Sequence, residues 1–233
     1  MKKTSIAISA LLLLIQGMSA AEVYFDTVST AKAGRLQGAY IGTFAGGANV
    51  SGTSTAGRLG GMGVDGKGMG WIGGVEFGYK WATPVGLNLA SELEIYYLNQ
   101  DLSGGNSGAR YRSNLRSLGA MVNGIVELDL GSILGEEAGW MGRVKPYVGA
   151  GVGLGYGDQD KIAYKPSGRR ERTLDGGGDT GFAYQLMGGV EVEVSDTFSV
   201  YGEYRYMDLQ GFGSGDITGA EISTWVLGMK FQY

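Results

Sequence analysis

Ala220-Glu221-Ile222-Ser223-Thr224-Trp225-Val226-Leu227-Gly228-Met229-Lys230-Phe231-Gln232-Tyr233 closes the sequence, and counted back by twos it separates into two faces. Trp225, Leu227, Met229, Phe231 and Tyr233 make one face; Val226, Gly228, Lys230 and Gln232 make the other. A period of two, apolar on one side and polar or tiny on the other, is a strand. A soluble fold rarely ends on such a strand with nothing to cover it. A closed barrel in a bilayer pairs its last strand with its first and lets lipid cover the apolar face.

Working back from that strand, the same alternation recurs. Residues 71–81 set Trp71, Gly73, Val75, Phe77, Tyr79 and Trp81 against Ile72, Gly74, Glu76, Gly78 and Lys80. Residues 87–98 set Leu87, Leu89, Leu93, Ile95 and Tyr97 against Asn88, Ala90, Glu92, Glu94 and Tyr96. Further strands are expected at 38–46, 117–128, 145–155, 181–194 and 198–207, which makes eight with the last one. An even count suits a single-chain bacterial barrel. The expected fold is therefore all-β, an eight-stranded antiparallel up-and-down transmembrane β-barrel.

The connections alternate in length. Residues 47–70, 99–114, 155–180 and 208–219 are long or intermediate; those near Thr83-Pro84 and at Ser195-Asp196-Thr197 are tight. Long outside and short inside is the asymmetry of an outer-membrane barrel with both termini in the periplasm. Residues 129–143 break the rule, being long where a short turn belongs. Either they hold a small helix near Glu136-Glu137-Ala138, or the strand count is off at that point.

Alternation alone does not separate lipid from a soluble core, because a β-sandwich alternates as well. Three features favour lipid. Aromatic residues sit near strand ends, where a membrane–water girdle needs them. The polar face is rich in Gly rather than in Lys, Ser and Thr. The final residue is aromatic.

An eight-stranded barrel is filled by its own side chains. The inward face then carries Glu76, Lys80, Glu92, Glu94, Glu127, Glu191, Glu193, Glu203, Arg205 and Lys230. Enclosed charges must pair and hydrogen-bond or lose their charge. A structural network is expected, with Arg205 and Lys230 bridging Glu92, Glu94 and Glu203. The alternative is a narrow acid-lined path for cations, since Glu outnumbers Lys and Arg on this face.

The first residues explain how such a chain reaches a membrane. Met1-Lys2-Lys3 precedes an apolar run from Ile6 to Ile15 and then Gly17-Met18-Ser19-Ala20-Ala21. A positive start, a short apolar core and small residues make residues 1–21 a secretory signal peptide, cut after Ala20 or Ala21. Residues 22–37 are polar and patternless, a flexible lead-in to a barrel over 38–233. The chain of 233 residues has 45 Gly, three Pro, no Cys and no His. Lacking Cys, it has no lipidated Cys after the leader and no disulfides.

Lys145-Pro146-Tyr147-Val148-Gly149-Ala150-Gly151-Val152-Gly153, Tyr204-Arg205-Tyr206 and the final Lys230-Phe231-Gln232-Tyr233 resemble the small outer-membrane β-barrel family of opacity-type and OmpA-type surface antigens. The resemblance implies an integral protein of the cell outer membrane of a Gram-negative bacterium. Its role would be structural, with external loops used in adhesion or host interaction. The alternative is a small porin-like channel or transporter. Trp225, Leu227, Met229, Phe231 and Tyr233 resemble the signal read by the barrel-assembly machinery. Outer-membrane lipid, lipopolysaccharide and host-surface molecules are the other implied partners; nucleic acid is not one.

Barrel enzymes of that membrane rely on His as a base, and this chain has none, so no catalytic site is expected. No cofactor or metal is expected either: Asp175-Gly176-Gly177-Gly178-Asp179 lacks the spacing and the bidentate Glu of a calcium loop. Arg169, Arg170 and Arg172, in the third external loop, form a cationic patch suited to sulfated glycan or lipopolysaccharide phosphate. Interspersed acids make an ordinary solvated loop tip the plainer reading of it.

Overall fold

The computed structural model describes residues 38–55, 64–66, 68–83, 86–106, 109–159, 162–166, 172–174, 177–211 and 217–233. The expected leader and lead-in lie outside them. Eight long strands form the wall: β1 Gly38–Thr55, β2 Gly70–Trp81, β3 Leu87–Asn106, β4 Ala109–Leu128, β5 Val144–Gln159, β6 Gly177–Glu193, β7 Phe198–Gln210 and β8 Ile217–Gln232. Each pairs antiparallel with its neighbours in sequence. β8 returns to β1 from Tyr40↔Gln232 to Thr55↔Ile217, and that pairing closes the barrel. Closure leaves the wall without a free edge at membrane depth, which a bilayer demands of any sheet.

The outward row is apolar and exposed: Val75, Phe77, Leu89, Ile95, Val126, Val148, Val152, Leu186, Leu227 and Met229 among others. Aromatic pairs border it at both ends. Trp71 stacks on Tyr97 and Tyr204 on Trp225 toward the outside; Tyr79 meets Trp81 and Phe198 meets Phe231 toward the periplasm. From Leu87 to Tyr97 the strand runs ~33 Å. At a tilt of ~40° that is a band ~25 Å tall, the height of an outer-membrane lipid belt.

The strands run further than their alternation suggested. β3 and β4 continue to Asn106 and Ala109, far above the girdle. Above the girdle the outward positions Asn99, Asp101 and Ser103 are polar, as a face that meets water requires, so the apolar outward row stops while the hydrogen-bond ladder continues. Three short strands extend this projection. Val64–Gly66 pairs with β3 at Leu102–Gly104, Ile162–Pro166 pairs with β4 at 109–112, and Arg172–Leu174 pairs with Ile162–Tyr164. Residues from three external connections thus form one sheet standing above the membrane.

The long periplasmic connection is helical, which settles the strand count at eight. Leu130–Leu134 is one α-helical turn (α1), followed by 3-10 turns over Gly135–Arg143. Asp129 caps α1 by accepting from the Ser132 amide, 3.2 Å, and the Ser132 hydroxyl, 2.8 Å. Gly135 ends it at φ 65°, a left-handed conformation that glycine adopts without strain.

Candidate functional site

The site is the barrel interior, and five inward glycines shape it. Tyr40 lies opposite Gly78, Phe44 opposite Gly74, Tyr96 opposite Gly119, Tyr147 opposite Gly189 and Tyr201 opposite Gly228. In each pair the ring lies across the glycine; a Cβ there would sit 2.3–2.7 Å from ring atoms. Glycine on one strand lets an aromatic ring on the next lie flat against the wall. The phenols of Tyr40 and Tyr201 are then aimed at carboxylates in the middle of the lumen.

Arg205 of β7 is the centre of the middle layer and is almost wholly buried. Its Nη1 donates to Glu94 at 2.7 Å, its Nη2 to Glu76 at 3.2 Å and its Nε to Glu203. Phe44 covers its guanidinium, 4.3 Å from the ring centroid. Asn123 donates to Glu92 at 3.0 Å and to Glu94 at 3.1 Å; Gln185 donates to Glu94 at 3.2 Å and to Asn123 at 2.8 Å. The Tyr201 hydroxyl donates to Glu76, and the Tyr40 hydroxyl to Glu92 at 2.8 Å. Lys230 stands 3.3 Å from Glu92 and 3.9 Å from both Glu76 and Glu191, between the rings of Tyr40 and Tyr201.

A second charged layer lies nearer the periplasm. Lys80 reaches Glu127 at 2.7 Å and Glu191 at 3.0 Å, and Asn88 donates to Glu127 at 2.9 Å. Lys145 pairs with Glu193 and lies 3.9 Å from Glu127 and 4.0 Å from Asp129. The outer third of the lumen is different. Ile72, Leu98, Leu102, Met207, Leu209 and Ile222 point inward there and are fully buried. The interior therefore has a mainly apolar layer on the outside, with Gln100 and Ser117 as its polar members, and two ionic layers below it.

All nine residues expected in the lumen network, Glu76, Lys80, Glu92, Glu94, Glu127, Glu191, Glu203, Arg205 and Lys230, are buried, as is Glu193. Arg205 holds Glu94 and Glu203, and Lys230 holds Glu92; Glu76 joins both cations. Lys145, Asn88, Asn123, Gln185, Tyr40 and Tyr201 belong to the same network without having been singled out. Their signal was parity: each falls on the inward register of its strand.

Among the described residues, eight buried carboxylates face four buried cations. The carboxylates of Glu76, Glu92 and Glu94 come within 4.8 Å of one another, a grouping of cation-binding size. Arg205 and Lys230 supply positive charge at that spot. On the outside of the wall, Trp225, Leu227, Met229, Phe231 and Tyr233 are exposed in one row along β8. Arg169 and Arg170 lie outside the described residues, and the backbone of Arg172 lies in a short strand of the projecting sheet.

A closed eight-stranded wall with a lipid belt, two aromatic girdles and a packed polar lumen defines an integral outer-membrane β-barrel protein. The chain belongs to the outer membrane protein beta-barrel domain family, which it matches over residues 8–232. Its place is the cell outer membrane. No curated protein sequence matches the chain. Neisserial surface protein A has a similar fold, with a TM-score of 0.50 at 19% identity, covering 87% of this chain and 100% of that one. Ail, the attachment invasion locus protein of Yersinia pestis, gives 0.41 at 11%, covering 85% of this chain and 100% of that one. The outer membrane enzyme PagL gives 0.39 at 14%, covering 83% of this chain and 99% of that one.

Proposed function

We propose that the barrel is a non-enzymatic membrane anchor whose work is done by the sheet it raises above the outer surface. One observation carries this reading: the lumen is filled. An apolar layer and two ionic layers occupy it, while β3, β4 and three short strands project outward as a continuous ladder. A rigid projecting sheet suits recognition of a host surface, and loops on a stiff scaffold are where binding residues concentrate. The absence of His from the whole chain supports a non-catalytic role.

Arg169, Arg170 and Arg172 give the third external connection its cationic character and suit a sulfated glycan or lipopolysaccharide phosphate. Residues 1–21 act as a cleaved leader, and the β8 row from Trp225 to Tyr233 is read by the assembly machinery. The test is replacement of residues 160–176 by a short turn, followed by a cell-binding assay with surface-displayed protein. Loss of binding with normal surface display is expected; unchanged binding removes this connection from the adhesive surface.

A further inference from the structure

The helical connector 129–143 carries four large apolar side chains that are left exposed. Ile133 is 52% exposed, Leu134 46%, Trp140 76% and Met141 45%. Four large apolar side chains exposed within nine residues of chain, 133–141, are uncommon on a surface that meets only water. The connector is also a built element and not a slack turn. Asp129 caps it, Gly135 turns it, and the Val144 amide donates back to the Met141 carbonyl. The capping carboxylate is held from inside the barrel, where Lys145 lies 4.0 Å from Asp129.

The connector's position shows what meets these side chains. α1 begins two residues after Leu128, whose partner Leu87 is the last outward leucine of β3 before the periplasm. Both leucines are exposed members of the lipid belt. Ile133 packs beside Gly86, close enough that a Cβ there would lie 2.6 Å from its Cγ1. Ile133 therefore continues the lipid-facing row of β3 and β4 past its lower border. Trp140 is an amphipathic ring suited to the headgroup boundary, and exposed Arg143 three residues on suits its phosphates.

We propose that 129–143 is an interfacial foot, with Ile133, Leu134, Trp140 and Met141 seated in the periplasmic phospholipid leaflet around the barrel. The foot sets the depth of the β3–β4 side of the wall and accounts for a periplasmic connection far longer than a turn requires.

The test uses Trp140 as the sole tryptophan, in a full-length chain with Trp71→Phe, Trp81→Phe and Trp225→Phe, refolded into phosphatidylethanolamine–phosphatidylglycerol vesicles. Expected are a blue-shifted emission, quenching by phospholipids brominated near the glycerol end of the acyl chain, and weak quenching by acrylamide. Because three Trp changes can disturb folding, Trp140→Cys alone provides a second readout, since the chain has no other Cys. A nitroxide there should be more accessible to oxygen than to a water-soluble nickel chelate. Red-shifted emission with free acrylamide access, or a nitroxide reached mainly by the nickel chelate, overturns the proposal. A position open to water in vesicles but protected in native outer membranes also overturns it, and points to a periplasmic protein as the occupant.

Discussion

Arg205 on β7 reaches straight across the lumen to Glu94 on β3, with 2.7 Å between Nη1 and Oε1. In a ring of eight strands the third and seventh stand opposite each other, so this ion pair ties the two halves of the wall together. Lys80 on β2 and Glu191 on β6 do the same one layer down, at 3.0 Å. Both cross-ties link residues 111 positions apart in sequence.

Replacing Arg205 by Ala leaves Glu94 and Glu203 without the cation that compensates them and Glu76 with Lys230 alone. Removing one partner of a buried pair costs about 3–5 kcal/mol, chiefly because the remaining charges stay enclosed. Urea unfolding of refolded protein in vesicles, followed by tryptophan emission, should show a loss of that order. Adding Glu94→Gln to Arg205→Ala should recover part of it. If Arg205→Ala unfolds at the wild-type midpoint, the lumen is wet enough to screen its charges.

The Tyr201–Gly228 pair offers a test of how the wall is packed. A methyl group on Gly228 would lie 2.3 Å from Tyr201 Cζ, so the ring must leave the wall and release Glu76. Forcing extra volume into a packed site costs about 1–3 kcal/mol. Gly228→Ala should therefore destabilise the protein, and should do so much less in a Tyr201→Leu background. Residues in contact are non-additive in this way. Strictly additive losses in the double-mutant cycle would show that the ring and the glycine are independent.

Much of this was legible in the residue order, and the parts that were not have a common cause. Period two separated Glu76, Glu92, Glu94, Arg205 and Lys230 from Phe77, Leu93, Ile95 and Met229, because inside and outside a barrel differ sharply in polarity. It did not predict that Arg205 also takes Glu76, or that Lys145 joins Glu193. Those pairings depend on strand tilt and stagger, which place residues of distant strands at one height. The apolar outer layer was hidden for another reason. Leu98, Met207 and Ile222 keep inward register while sharing the chemistry of the lipid face, so polarity no longer marks the side. The projecting hairpin was hidden because its outward row turns polar at Asn99 and Asp101, above the lipid belt, and period two no longer marks it by an apolar face.

Met229 lies on the outward row of β8, opposite Thr43 and Val200 and between the Trp225 and Phe231 girdles, one residue from their midpoint at Gly228. An arginine there must stand in acyl chains. At the bilayer midplane of a β-barrel that change costs about 2–4 kcal/mol, falling toward zero at the interface. Met229→Arg should lower stability in vesicles by that amount, whereas arginine at Tyr233 should cost far less. Equal costs at the two positions would argue against a bilayer around β8.

The layered interior makes a final prediction about conduction. An ion entering from outside meets Ile72, Leu98, Leu102, Met207, Leu209 and Ile222 before it reaches a carboxylate. An apolar constriction without water is a barrier in itself. Wild-type protein in planar bilayers should therefore show no steady single-channel current, and Glu94→Gln should leave that silence unchanged. Opening the apolar layer with Leu98→Gly and Ile222→Gly together should produce intermittent currents. They should favour cations, because the layers beneath hold eight carboxylates against four cations. Steady wild-type currents that change with Glu92→Gln or Glu94→Gln would instead make the barrel a pore, with the ionic layers as its selectivity region.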